Sequence, residues 1–230
     1  FVLPLPPPPC WPYLIVSSCL QLVYSVFLAH AYRHGHLGQV YPVVRGSVPL
    51  LVTLGAYVLT GQLLSTLSML GVILVALGIM SLIVDSRRAS LKSIMLALLT
   101  GVFIAAYTVT DAMGVRHAGN AATYATWIFL IYGALMLMMF SMWRGKLRLD
   151  VRSLETRKAL MGGVISLIAY GAIVAALALG SAGAISALRE TSVIFAALIG
   201  QIFLKEPLTF HRLAACLVVA LGAFCLSWQS

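Results

Sequence analysis

Residues 65–84 read STLSMLGVILVALGIMSLIV, a stretch without one charged side chain. About 20 apolar residues is the length an α-helix needs to cross the hydrocarbon core of a bilayer. Read at that length, the whole chain divides into eight spans: 13–33, 40–60, 65–84, 92–113, 121–143, 157–179, 183–204 and 210–228. Turn residues punctuate them, as in RHGHLG (33–38), TGQ (60–62), LGSAG (179–183) and KEP (205–207). The fourth span is the most polar, holding Tyr107, Thr108, Thr110 and Asp111. Composition agrees: 9% of residues are charged and the mean hydropathy is +1.02, against roughly 25% charged residues in soluble domains. A soluble protein of this size has too little interior to hide so much apolar surface. The fold class is all-α integral membrane.

The net charge of +9 does not point to nucleic acid, because the basic residues fall between apolar segments and form no basic patch interleaved with aromatics. Loops 33–39, 85–92, 144–158 and 205–212 hold twelve of the fifteen Lys and Arg residues. The alternating connections near 61–64, 114–120 and 180–182 hold only Arg116. The positive-inside rule therefore places the first set in the cytoplasm, with both ends of the chain outside. The longest loop, 144–158, is strongly basic and suits an anionic membrane surface. Arg45 and Arg189 remain, and both lie inside spans.

These two arginines are related by an internal offset. Shifting the sequence by 144 residues places Arg45 on Arg189, Leu54 on Leu198, Gln62 on Glu206, Leu64 on Leu208, and ALG (76–78) on ALG (220–222). Identities are few, but the shift superposes the two intramembrane arginines and preserves helix–turn–helix spacing over about 35 positions. The second span starts from a cytoplasmic loop and its counterpart from an outside loop, so the copies are inverted. Inverted repeats place substrate sites near the midplane of secondary transporters. Each arginine, about five residues into its span, is expected roughly 8 Å deep. That depth puts the pair on opposite sides of the midplane, one facing each entrance of a central cavity.

AYRHGHLGQVYPVVRG (31–46), GVFIAAYTVTDAMG (101–114) and SALRETSVIFAALIGQIFLKEPL (186–208) resemble the EamA-like branch of the drug/metabolite transporter superfamily. The resemblance implies a ten-helix bundle of two inverted five-helix repeats that carries small metabolites by secondary transport. By that pattern residues 1–84 are a first repeat lacking its first helix and most of its second. Residues 85–91 are a cytoplasmic linker, and 92–230 a second repeat. The opening FVLPLPPPP, without an initial Met, reads as the tail of an earlier span, so the chain is expected to be incomplete at its N-terminus. Gln62, where the second copy has Glu206, departs from the pattern.

A central arginine costs about 2.5–3.5 kcal/mol on insertion scales and persists where it meets water, a partner or a substrate. Arg45 and Arg189 are expected to bind an anionic group, their planar fork suiting carboxylate or phosphonate; fastening helices through an acid is the alternative. Glu190 is about 100° around the helix from Arg189, so each is expected to find its partner elsewhere. Glu190 is a candidate proton carrier or counter-ion. Asp111 is a candidate partner for Arg189 or for a substrate amine. Tyr24, Tyr107, Tyr170 and Trp127 lie within spans and carry polar tips that need partners, making them candidate cavity-lining residues. Pro42, Gly46 and Pro49 predict a kink around Arg45, where freed carbonyls can face a cavity.

Other chemistry is poorly supported. His30 and His34 are spaced i, i+4, but no third ligand for a metal is evident near them or His36. Cys10, Cys19, Cys216 and Cys225 form no CxxC. GxxxxGK[ST], HExxH and GxSxG motifs are all absent. The sequence therefore reads as a secondary transporter of an amino-acid-like zwitterion or anion in the cytoplasmic membrane of a prokaryote. No cofactor, metal or nucleic acid is implied; protons are a candidate coupling ion, and the state is a monomer or homodimer. A membrane-embedded enzyme acting on lipid head groups and a non-transporting scaffold are the alternatives.

Overall fold

The computed structural model describes residues 4–34, 37–61, 63–82, 91–144, 153–195, 202 and 209–227. Among them, eight α-helices follow a short 3₁₀ turn at Pro8–Cys10. They are α1 (Trp11–His34), α2 (Leu37–Thr60), α3 (Thr66–Ser81), α4 (Leu91–His117), α5 (Ala121–Arg144), α6 (Leu154–Leu179), α7 (Ala182–Arg189) and α8 (Phe210–Ser227). Five are long and apolar enough to cross a bilayer: Pro8–Arg33, Val40–Thr60, Leu91–His117, Ala121–Trp143 and Leu154–Leu179. Thr66–Ser81 and Leu213–Leu226 are shorter apolar helices. The 85–91 linker, the KEP turn, and Arg87, Arg88, Lys146, Arg148 and Arg152 of the basic loops lie outside the described residues.

Helix ends follow local chemistry. Gly61 closes α2 at φ +66, donating its N–H to the Tyr57 carbonyl (2.9 Å), and Gly119 follows α4 at φ +68; positive φ costs glycine little. Ser65 caps α3 by accepting the Ser68 N–H (3.2 Å), Asn120 Oδ1 accepts from Ala122 N (2.8 Å) at the start of α5, and Ser153 does the same for α6 through Thr156 N (3.2 Å). Each cap satisfies an N–H that a helix start leaves unpaired.

The chain forms two compact units. One comprises Phe1–Leu22 and Thr110–Leu179, the other Val23–Val109 and Gly180–Ser230. In the first, α6 exposes Leu160, Met161, Val164, Ile165, Leu167 and Ile168, an apolar surface suited to lipid. Its interior is more polar: Ser17, Thr123 and Asp111 are buried along with Leu14, Tyr124 and Ile128.

In the second unit, α3 and α8 approach closely through small residues. A Cβ on Gly71 would lie 2.8 Å from the Gly222 carbonyl oxygen; one on Gly78 would lie 2.8 Å from Val219 Cγ2 and 3.1 Å from the Ala215 carbonyl oxygen. The contacts advance along α3 as they retreat along α8, so the helices are antiparallel. Small residues let backbones meet at such distances, where lipid supplies no hydrophobic drive. Val72, Val75, Ile79, Ala187, Val193, Val219 and Leu226 pack into one buried cluster there. We expect Gly78→Leu to force α3 and α8 apart and remove about 1–3 kcal/mol, read as a lowered thermal midpoint in detergent; an unchanged midpoint would refute this contact.

The seventh span departs from expectation. Sequence predicts one helix over 183–204, but α7 stops at Arg189 and helix resumes at 192–195. At the break Glu190 N donates to Ala187 O (3.0 Å) and Thr191 N to Leu188 O (3.1 Å), three residues back instead of four. Tight turns of this kind inside a helix re-aim the side chains they carry.

Candidate functional site

Arg45 sits where α2 is locally weakened. Pro49 has no N–H to give the carbonyl of Arg45, four residues earlier, and Ser47 Oγ donates to the Val44 carbonyl (3.1 Å). Gly46 lets α2 lie on α3: a Cβ there would be 2.5 Å from Met80 Cγ and 3.1 Å from the Ala76 carbonyl oxygen. Further along, Gly183 of α7 is pressed against Thr53 of α2. From that crossing, Arg45 is eight residues back along α2 and Glu190 seven residues forward along α7. Antiparallel helices with equal rise bring those two positions level, each about 11–12 Å from the crossing.

The result is a three-residue charge cluster. Arg45 Nη1 donates to Glu190 Oε1 (3.2 Å) and Oε2 (3.3 Å), and Arg189 Nε donates to Oε1 (3.1 Å). The Glu190 side chain is 1% exposed, that of Arg189 13% and that of Arg45 36%. Two guanidinium groups share the Glu190 carboxylate. The Tyr41 ring lies 5.6 Å from the Arg45 guanidinium carbon, within cation–π range.

Two expectations are corrected here. Arg189 and Glu190 do meet, because the turn at 190 ends the regular 100° progression that would have separated them. The arginines also do not face opposite entrances. Both reach one carboxylate, because the antiparallel crossing of α2 and α7 aligns position 45 with 189–190. In addition, α2 begins at Leu37, which places Arg45 deeper along its helix than a start at residue 40 implies.

In the first unit Asp111, 0% exposed, organises a second cluster. Tyr124 Oη donates to its Oδ1 (2.9 Å), Tyr170 Oη donates to Oδ2, and the Ser17 hydroxyl also bonds the carboxylate. Gln21 Nε2 donates to Ser17 Oγ (3.3 Å) and Tyr170 Oη (3.4 Å). The partners of Asp111 are hydroxyls, where the sequence suggested an arginine. Phe129 meets Tyr170 edge to face at 5.5 Å, fixing the ring that carries one of those hydroxyls.

The remaining aromatic candidates separate. Tyr24 packs against Tyr107 at 5.3 Å, next to Phe27 stacked on Phe103 at 5.2 Å, so these two tyrosines do come together, between α1 and α4. Trp127 Nε1 donates to the Pro4 carbonyl (3.1 Å) and its ring meets Trp11 edge-on at 5.4 Å; its polar tip is occupied by the start of the chain. His30 Nδ1 donates to the Val26 carbonyl (2.9 Å), while the side chain of His34 and all of His36 lie outside the described residues.

Sequence reading passed over Tyr41, Tyr124, Ser17 and Gln21. One signal for the last pair was available: Ser17 and Gln21 are spaced i, i+4 on an apolar span, which places them on one face. Tyr124 and Tyr41 carried no comparable signal, since tyrosines near span ends are ordinary interfacial residues.

The profile of the EamA-like transporter family matches residues 91–228, more than half of the 230-residue chain. Comparison with curated proteins finds no match. Membrane-length apolar helices and the family profile lead to one conclusion: the chain belongs to the EamA-like transporter family of the drug/metabolite transporter superfamily, whose members are multi-pass membrane transporters and not enzymes.

Proposed function

We propose that this protein is a secondary active transporter for a small anionic or zwitterionic metabolite, working by alternating access in the cytoplasmic membrane of a prokaryote. The observation that carries the reading is the cluster of Arg45, Arg189 and Glu190. Two cations converge on one carboxylate, and Arg45 is exposed enough to offer a guanidinium edge to a solute. A carboxylate or phosphonate suits that edge, since guanidinium binds either through paired N–H groups. An α-amino acid or a phosphonate anion is the solute class expected, and Glu190 is the internal carboxylate with which it competes.

Two inverted repeats, 1–84 and 92–230, joined through 85–91, are part of this proposal. Support comes from α3 and α8, which begin 144 residues apart, at Thr66 and Phe210. Their contacts respect that offset. Gly71 meets Gly222, and Gly78 meets Ala215; moving each residue to its counterpart converts one pair into the other. A two-fold relation in the membrane plane produces such exchange, and rocking of the halves is the motion associated with it.

The test is flux. Full-length protein in liposomes, offered labelled amino acids, organophosphonates and nucleosides, is expected to move one of the first two classes. Flux of nucleosides alone, or of nothing, overturns the proposal. A static fastening of helices would also pair both arginines, and the same assay separates that scaffold reading, which predicts no flux. Orientation has its own check. A cysteine introduced at Arg148 is expected to label only from the cytoplasmic face; labelling from outside would invert the topology.

A further inference from the structure

The two fully buried acidic side chains among the described residues, Glu190 and Asp111, are stabilised in opposite ways. Glu190 is held by two guanidinium groups. These keep their charge throughout the accessible pH range and can only donate. Glu190 is thus the shared acceptor of both arginines.

Asp111 is held by hydroxyls. Those of Tyr124, Tyr170 and Ser17 reach its two oxygens, and a hydroxyl can donate or accept. When Asp111 is ionised all three donate to it. When one oxygen takes up a proton, the new O–H can donate to a hydroxyl oxygen whose own hydrogen turns away. One proton is bound, one negative charge disappears, and no cation is stranded. The ion pairs found among the described residues both belong to Glu190 and leave Asp111 out.

Among the described residues, neutral groups buttress the cluster. Gln21 of α1 bonds Ser17 and Tyr170. Cys10, the last residue of the 3₁₀ turn directly before α1, donates its thiol to the Gly114 carbonyl (3.3 Å). Tyr13 stacks on His117 at 5.4 Å. The titratable groups directly on Asp111 are thus Tyr124 and Tyr170; Cys10, Tyr13 and His117 lie beyond them, and Arg116 follows on α4 itself.

We infer that Asp111, cradled by Ser17, Tyr124 and Tyr170, is a reversible proton-binding site, distinct from the ion-paired Glu190. Coupling of that proton to solute movement rests on the transport function proposed above; the site itself does not.

The experiment is pH-difference infrared spectroscopy of the full-length protein in detergent. A protonated-carboxyl stretch is expected to grow on acidification, to persist in Glu190→Gln and to be missing from Asp111→Asn. Asparagine matches aspartate in shape, its Oδ1 accepting from one hydroxyl while its Nδ2 donates to another, and elution as a single symmetrical species checks its fold. Tyr170→Phe retains the carboxyl but removes one hydrogen bond, and should shift the frequency of the band without abolishing it. A set of titrating bands unchanged by Asp111→Asn overturns the inference. So does a carboxyl signal that answers to NaCl and not to pH, which would mark a sodium site. In liposomes, Asp111→Asn should retain exchange of solute at equal concentrations and lose at least about tenfold in accumulation driven by a pH gradient. Wild-type protein without flux would sink the transport reading and leave the infrared result standing; flux without the Asp111 band would do the reverse.

Discussion

Glu190→Gln is expected to be the most destabilising single change in the second unit, at about 3 kcal/mol. Removing one partner of a buried ion pair costs about 3–5 kcal/mol, because the other charge stays buried without compensation. Here two guanidinium groups lose their shared acceptor. Arg45, 36% exposed, recovers solvation and holds the loss at the lower end of that range. Arg189, 13% exposed, does not. The measurement is thermal unfolding in detergent, with Arg189→Gln/Glu190→Gln as the second leg. Removing both charges should restore stability to within about 1 kcal/mol of wild type, since neutralising a whole buried pair is close to neutral. A double variant as unstable as the single one would show that the loss comes from the helix break at 190–191 and not from stranded charge.

Arg45→Ala should abolish most transport while leaving insertion intact. A hydrogen bond to a charged group contributes about 1.5–3 kcal/mol, so losing the more exposed guanidinium should lower flux about ten- to a hundredfold. Arg45→Lys is expected to fall between, because an ammonium keeps the charge but lacks the planar pair of donors. Arg189→Ala should lower flux as well, with an added stability loss from the packing of its more buried side chain. Expression and membrane insertion of each variant separate transport from folding. Wild-type flux in both alanine variants would remove the anion-binding role from this cluster and leave the arginines as fasteners.

The contrast between the two acids bears on how such a protein is driven. A carboxylate between two guanidiniums is well suited to setting the charge of a binding site. A carboxylate surrounded by rotatable hydroxyls can gain or lose a proton while its partners reorient. Sequence alone does not distinguish them, because both are acids among apolar residues. Their partners do, and those partners come from distant sequence: Arg45 for Glu190, and Ser17 and Tyr170 for Asp111.

Sequence by itself determined the membrane class, the long apolar helices, the turn at Gly61, and that Arg45, Arg189, Glu190 and Asp111 stand out as charges among apolar residues. Those depend on local properties: transfer free energy along a helix length, positive φ at a glycine, and the rarity of charge in hydrocarbon. Tertiary structure alone decided which charges meet. The break after Arg189 and the antiparallel crossing of α2 on α7 put both arginines on one carboxylate, against the expectation of two separate depths. Tyr124, Ser17 and Gln21 joined the Asp111 cluster only when α1, α4, α5 and α6 brought them together. Helical periodicity fixes what one helix can present on each face; it carries no information about which other helix will be there to receive it.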